Sequence, residues 1–188
     1  MKTDINFVKR ENSLFFKKIK SKEEIIEDDI YEGYFIEEKE DQIRRIINFF
    51  KSKNIKKKIA LFSKNIEEIR RFIETLNFDY LVSPELNEGK DNLRQRSSGL
   101  NEYLARLCSK KKINILIALS FLEEKKDSTE KAKIITRIIQ NIKICRKKNC
   151  EIKIASFSDK NFFEKKERER IGFSLGMSSQ QVSRCCVF

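Results

Sequence analysis

The sequence predicts an α/β fold built on parallel strands, and three observations predict it. From about residue 30 onward, short β-rich runs alternate with helical patterns at intervals of roughly 20 to 35 residues, the signature of successive β-α-β units. One run, Ile113 to Ser120, is nearly all apolar, as a strand covered on both faces must be. No repeat, low-complexity segment or Pro/Gly-rich linker divides the 188 residues, so residues 1–188 are expected to form one domain around a single core. Right-handed crossovers turn such units into a closed barrel or an open doubly wound sheet, and periodicity leaves both open.

Tyr34-Phe35-Ile36 reads as a first, weak strand, after which Ile43, Ile46, Ile47 and Phe50 recur at helical spacing. Lys58 to Ser63 is the next strand, followed by a helix with Ile66, Ile69, Phe72, Ile73 and Leu76 on one face. Asp79 to Ser83 is a strand ended by Pro84, and the polar stretch from Glu85 to Ser97 is a loop. Ser98 stands where an N-cap belongs, before a helix whose stripe is Leu100, Tyr103, Leu104, Leu107 and Cys108. After the apolar strand come a long helix from Thr129 to Lys148, a strand from Glu151 to Ser156 and a last helix from Phe163 to Leu175, stopped by Gly176.

Charge narrows the function. Lys and Arg number 41 against 29 Asp and Glu, a net +12 with a pI near 9.5, which on one small domain is the footprint of a polyanion binder. A lysine-rich genome inflates Lys everywhere, but it inflates Glu too, and here Glu does not balance Lys. RNA is favoured over a membrane surface, because no basic amphipathic anchor with Trp and no run of 18 apolar residues is present. Met1 to Lys20 alternates charge with short apolar pairs instead of building a signal peptide. Five cysteines (Cys108, Cys145, Cys150, Cys185, Cys186) without Cys-x-x-Cys spacing fit a reducing cytoplasm and no zinc knuckle. Cys108 and Cys145 fall on apolar helical stripes and read as small core hydrophobes.

The chain contains no histidine, which counts against the metallohydrolase and acid–base chemistries that lean on imidazole. Neither a Gly-x-Gly-x-x-Gly nor a Walker loop occurs. Glu123, Glu124 and Asp127 follow a strand, where barrel enzymes keep active groups, but Lys125-Lys126 flank them and they read as a solvated loop. Ser63, Ser83, Ser120 and Ser156 sit at strand ends with no base beside them. Expectation for this chain is therefore no catalytic residue, no metal and no bound cofactor.

The long helix carries the sharpest candidate site. On a helical wheel Ile134, Ile135, Ile138, Ile139, Ile142 and Cys145 gather in one arc, while Lys133, Arg137, Lys143, Lys147 and Lys148 stand opposite. Lys110-Lys111-Lys112 and the cluster Lys165, Lys166, Arg168 and Arg170 add cations elsewhere. The candidate RNA-binding residues are Lys133, Arg137, Lys143, Lys147, Lys148, Lys165, Lys166 and Arg168, each able to neutralise a phosphate and release counterions.

From Asp79 to Ser178 the chain resembles ribonuclease P protein component 3, the archaeal and eukaryotic barrel subunit of that ribonucleoprotein. The motifs that carry the resemblance are Asp79-Tyr80-Leu81-Val82-Ser83-Pro84; Leu104-Ala105-Arg106-Leu107-Cys108 with Lys111-Lys112-Ile113; Ala118-Leu119-Ser120; Lys126-Asp127-Ser128-Thr129 and the helix carrying Arg137; Ile154-Ala155-Ser156; and Gly172 to Ser178. Two departures stand out. Phe157 and Ser158 replace the second Ser and the Ala of a Ser-Ser-Ala pattern, and Phe163 to Glu167 lack an Arg and a Pro found there in the family. Residues 1–78 resemble the family in pattern only and are about one β-α unit short, leaving 79–188 as the recognisable core. The resemblance implies a TIM-barrel-like (β/α) fold and a non-catalytic subunit of an RNA-based endonuclease that matures the 5′ end of precursor tRNA. Its implied partners are the RNase P RNA and protein component 2, in a heterotetramer, with precursor tRNA met indirectly and magnesium used by the RNA. The competing reading is a barrel phosphoesterase of the polymerase-and-histidinol-phosphatase type, which the absence of His disfavours.

Overall fold

The computed structural model describes residues 2–25, 30–92 and 96–188; Met1 of the N-terminal segment and residues 93–95 of the expected 85–97 loop lie outside them. Among the described residues seven strands lie in sequence order, every neighbouring pair parallel. They are β1 (Asp4–Asn6), β2 (Ser13–Ile19), β3 (Gly33–Ile36), β4 (Lys58–Leu61), β5 (Tyr80–Val82), β6 (Asn114–Ala118) and β7 (Ile152–Ala155). Seven α-helices among the described residues accompany them: α1 (Glu40–Ser52), α2 (Ile66–Thr75), α3 (Glu102–Lys111), α4 (Leu119–Glu123), α5 (Ser128–Lys148), α6 (Lys165–Ser174) and α7 (Ser179–Cys185).

The sheet curls into a nearly closed barrel. Past the end of β7 the Phe157 amide donates to the Ile5 carbonyl at 2.9 Å, and the Phe7 amide donates to the Ser158 carbonyl at 3.1 Å. The fold is thus the expected TIM-barrel-like one, with seven strands where the standard barrel has eight.

Two strands, β1 and β2, lie outside the alternation seen in the sequence because no helix separates them. A parallel connection usually needs a dozen residues or more. Here β1 is three residues long, about 10 Å, and six residues reach back over that length with slack. Gly33 starts β3 because nothing larger fits: a Cβ there would lie 2.4 Å from the Phe16 ring and 2.8 Å from the Lys58 carbonyl.

Strand residues alternate between two cores. Inside the barrel sit Ile5, Phe16, Phe35, Ala60, Phe62, Tyr80, Val82, Leu116, Ala118, Ala155 and Phe157. Three alanines among five aromatic rings let a narrow cylinder fill without voids. Outside, Tyr34, Ile36, Leu61, Leu81, Ile115, Ile117, Ile152 and Ile154 meet the helices. Both faces of β6 are therefore covered, as its unbroken apolar run requires.

The helices begin and end where side chains satisfy them. Asn65 caps α2, accepting from the Glu67 and Glu68 amides, and Asp127 caps α5 through the Thr129 and Glu130 amides. Asn101, not Ser98, caps α3, accepting from the Leu104 amide at 2.8 Å; Ser98 is buried and donates to the Leu100 carbonyl. Gly176 ends α6 at φ +87°, with the Met177 amide reaching back to Gly172. The short α7 has no signature in the sequence, since its seven residues turn only Val182 and Cys185 to the core. All five cysteines are buried and free, Cys108 and Cys145 among the core as expected.

Candidate nucleic-acid interface

The expected basic ridge is rotated. Helix α5 buries Ile134, Arg137, Ile138, Asn141, Ile142 and Cys145, so its inward face includes Arg137 and leaves Ile135 and Ile139 outside the fully buried set. Lys133, Lys143 and Lys147 are the α5 lysines that stand away from that face, and Lys148 is drawn in to 14% exposure of its side chain. Lys133 and Lys143 lie about 15 Å apart along the helix, so they front opposite ends of the barrel.

At the lower end the cations gather. The Ser109 hydroxyl donates to the Asn149 carbonyl at 2.9 Å, bringing the C-terminal ends of α3 and α5 together. Lys110 and Lys112 follow Ser109 at that end of α3, while Lys147 and Lys148 reach to Glu102 at the start of the same helix. The Glu102 carboxylate holds both Lys147 (2.6 Å) and Lys148 (2.8 Å); hydrogen bonds from Lys147 first and Lys148 second push it down to about 2. Lys111 is committed elsewhere, donating to the Glu74 and Leu76 carbonyls at the end of α2. Cations at helix C-termini also offset the local dipole, so part of this cluster serves the fold itself.

Two candidate phosphate ligands are interior residues. Arg137 is 2% exposed: its guanidinium donates to the carbonyls of Glu85 (3.0 Å), Asn87 (2.8 Å) and Gly89 (2.6 Å) and pairs with Asp91 at 2.8 Å. Arg168 is 1% exposed and pairs with Asp4 at 2.7 Å. A helical wheel sees charge and angle but not the loop carbonyls that an arginine fork can satisfy in the interior. Of the other two candidates on α6, Lys166 is exposed and Lys165 lies 3.7 Å from Glu169.

The serines at strand ends are joints. The Ser156 hydroxyl donates to Asp4 at 2.7 Å, Ser120 donates to the Phe157 carbonyl at 2.7 Å, and Ser63 donates to Glu68 at 2.6 Å. Ser83 accepts from the Ala118 amide at 3.1 Å. At the C-terminal mouth, where barrel enzymes assemble their chemistry, five phenylalanines meet. Phe157 stands 4.7 Å from Phe7, 5.0 Å from Phe35 and 5.8 Å from Phe121, and Phe62 stands 5.4 Å from Phe121. Phe157 adopts φ +50° to reach this position, so the departure noted at 157–158 supplies the ring that fills the mouth. Among the described residues, no three His, Cys, Asp or Glu side chains group as metal ligands.

The loop after β5 is built on buried polar groups. Asn141 donates to the Ser98 carbonyl at 2.9 Å, Gln140 brackets Arg96 by two bonds to its backbone, and Asn87 donates to the Pro84 and Ser97 carbonyls. Glu85 lies wholly inside this cluster, and burial pushes its carboxyl up to about 7. Its Oε2 and the Asn141 Oδ1 have no hydrogen-bond partner among the described residues. Because the folded value lies above the ordinary 4.5, the folded state binds the proton more tightly. That stability is full below about pH 4.5 and lost as pH rises through about 7, roughly 3 kcal/mol in all. Glu85→Gln is expected to flatten the fall in unfolding free energy between pH 5 and pH 8; an unchanged urea-melt profile over that range overturns this.

No protein-family model and no curated protein sequence matches the chain. Its fold does have solved counterparts. A chain in the cryo-EM structure of archaeal ribonuclease P with mature tRNA superposes with a TM-score of 0.72 at 17% identity, covering 97% of this chain and 87% of that one. An uncharacterised protein and an amidohydrolase each match with a TM-score of 0.55, at 12% and 13% identity. They cover 84% of this chain but only 42% and 41% of their own longer chains. The likeness at these identities is one of fold.

Proposed function

We propose that this chain is a non-catalytic protein subunit of ribonuclease P, of the component 3 kind, that binds and stabilises the catalytic RNA during 5′ maturation of precursor tRNA. One observation carries the reading: nearly the whole chain superposes on a chain of an archaeal ribonuclease P, and nearly all of that chain is used in return. The motifs from Asp79 to Ser178 resemble the same family, and a net +12 suits a polyanion partner. A barrel whose mouth is packed with phenylalanine rings fits a scaffold that neutralises phosphate and recognises shape. In this proposal the RNA performs the cleavage with magnesium and the chain binds no cofactor. Component 2 is its protein partner in a heterotetramer, precursor tRNA is met through the RNA, and the setting is the cytoplasm; no helix among the described residues is long and apolar enough to cross a membrane. The RNA-facing residues are Lys133, Lys143, Lys147 and Lys166 with Lys148 and Lys165 at their flanks, while Arg137 and Arg168 support them from within.

Reconstitution tests the assignment. Adding this chain with component 2 to the RNase P RNA is expected to raise precursor-tRNA cleavage at low magnesium; equal rates with and without it would sink the proposal. Lys143→Ala with Lys147→Ala is expected to lower the slope of log affinity against log salt by about one for each phosphate ligand removed. An unaltered slope means that both side chains face water.

A further inference from the structure

We infer that the groove between α2 and α3 is a subsite for one or two nucleotides of single-stranded RNA, with Tyr103 as the stacking platform and Arg70, Lys90 and Arg96 as phosphate ligands. The inference rests on the RNA-binding reading above but uses none of its lysines.

Tyr103 is out of place by the logic of its helix. It belongs to the apolar stripe that the sequence assigns to α3, yet it is 60% exposed while Leu104 and Cys108 are buried. An isolated surface tyrosine is ordinary; this one has a setting. It lies close enough to Arg70 of α2 to feel its charge. Its chain neighbour Leu104 and that same Arg70 line a groove of about 280 Å³, together with Leu100, Ile66, Lys90, Arg96 and Asn101. Three cations line it against one carboxylate, Glu67. Two of these cations are shared with acids outside the lining, Arg70 with Glu74 and Arg96 with Asp91, so a phosphate would take them from surface ion pairs; Asp91 is also held by Arg137, and Glu102 by Lys147 and Lys148.

The groove is built rather than incidental. Arg137, Asn141, Asn87 and Ser98, all buried, hold residues 85–92 and 96–98 of the loop from beneath. Asp91 also accepts from the Ser97 amide at 2.7 Å. Buried polar networks of this kind fix a shape, and what this loop presents to the groove is Lys90 and Arg96. Fixed cations, an apolar floor and an exposed aromatic face are what sequence-tolerant single-strand recognition uses: charge follows the backbone and a ring takes the base. An acidic peptide would use the cations but not the ring face.

The test is fluorescence anisotropy of a labelled ten-nucleotide oligouridylate with the full chain, in parallel with binding of RNase P RNA. Tyr103→Ala is expected to weaken oligouridylate binding about tenfold, and Tyr103→Phe, which keeps the ring, to restore it. Lys90→Gln and Arg96→Gln are each expected to lower the salt slope by about one. Oligouridylate affinity unchanged in Tyr103→Ala, with circular dichroism intact, overturns the subsite. Bound RNase P RNA without saturable oligouridylate binding also overturns it and leaves the subunit proposal standing, whereas failure of both probes ends both. Displacement of the oligonucleotide by an equal concentration of a ten-residue glutamate peptide would show a charge-only surface and likewise overturn the inference.

Discussion

Arg168→Met is expected to cost about 3–5 kcal/mol of stability, roughly 10 °C in melting temperature for a domain of this size. The reason lies in how the barrel closes. Strands β1 and β7 come from opposite ends of the chain, and only a few backbone bonds join them beyond the ladders. Asp4 supplies the rest: its carboxylate accepts from the Ser156 amide (2.8 Å), the Ser156 hydroxyl (2.7 Å) and the Ile5 amide (2.9 Å) and pairs with Arg168. Arg168 in turn donates to the Thr3 carbonyl at 2.7 Å and to the Phe163 carbonyl. Removing the guanidinium leaves a buried carboxylate without its counter-charge, and that orphaned charge is the main cost. Combining Arg168→Met with Asp4→Leu is therefore expected to recover part of the loss, because the unpaired charge goes too. Equilibrium urea unfolding of the two single variants and the double variant reads this coupling. Strictly additive losses would mean that Asp4 and Arg168 do not act together in closing the barrel.

Periodicity makes five of the seven strands and five of the helices legible, because α1, α2, α3, α5 and α6 each bury a stripe or sit between apolar runs. It misses β1 and β2 for a physical reason: a three-residue strand such as Asp4–Asn6, two of its residues polar, with Asp4 held to Ser156 and Asn6 to Ser158, has no pattern to display. Closure into a barrel is likewise out of reach of periodicity, since it depends on bonds between residues 152 positions apart. The candidate site divides along the same line. Lys133, Lys143, Lys147 and Lys166 stay outside the core as their spacing suggests, but Arg137 and Arg168 are buried despite the same charge, one by loop carbonyls and the other by Asp4. One signal is readable in advance: Arg137 and Asn141 recur at i, i+4, i+8 with Cys145 of the apolar arc, so both polar residues share a line with the buried face. Tyr103 is the reverse case, an apolar pattern residue that the packing leaves outside.

Arg137→Met is expected to release the loop after β5 and to cost about 3–5 kcal/mol, with amide exchange across residues 85–92 and 96–98 rising well above the increase elsewhere. The guanidinium uses its donors on three loop carbonyls and on Asp91, so losing it strands acceptors and a carboxylate that is 13% exposed. Each stranded buried group carries its own desolvation penalty. Arg137→Lys is expected to rescue little, because one ammonium has three donors and no planar fork to span Glu85, Asn87 and Gly89 together. The two variants separate the supporting role from a phosphate-binding one. A lysine at 137 keeps the charge, so if this position touched RNA directly, Arg137→Lys would preserve most of the affinity and the salt slope. If it shapes the loop, both variants lose oligouridylate binding together and both show the exchange signature, because Lys90 and Arg96 are no longer held over the groove. Full RNA affinity in Arg137→Lys with residues 85–92 and 96–98 unprotected would refute the coupling between that loop and the RNA surface.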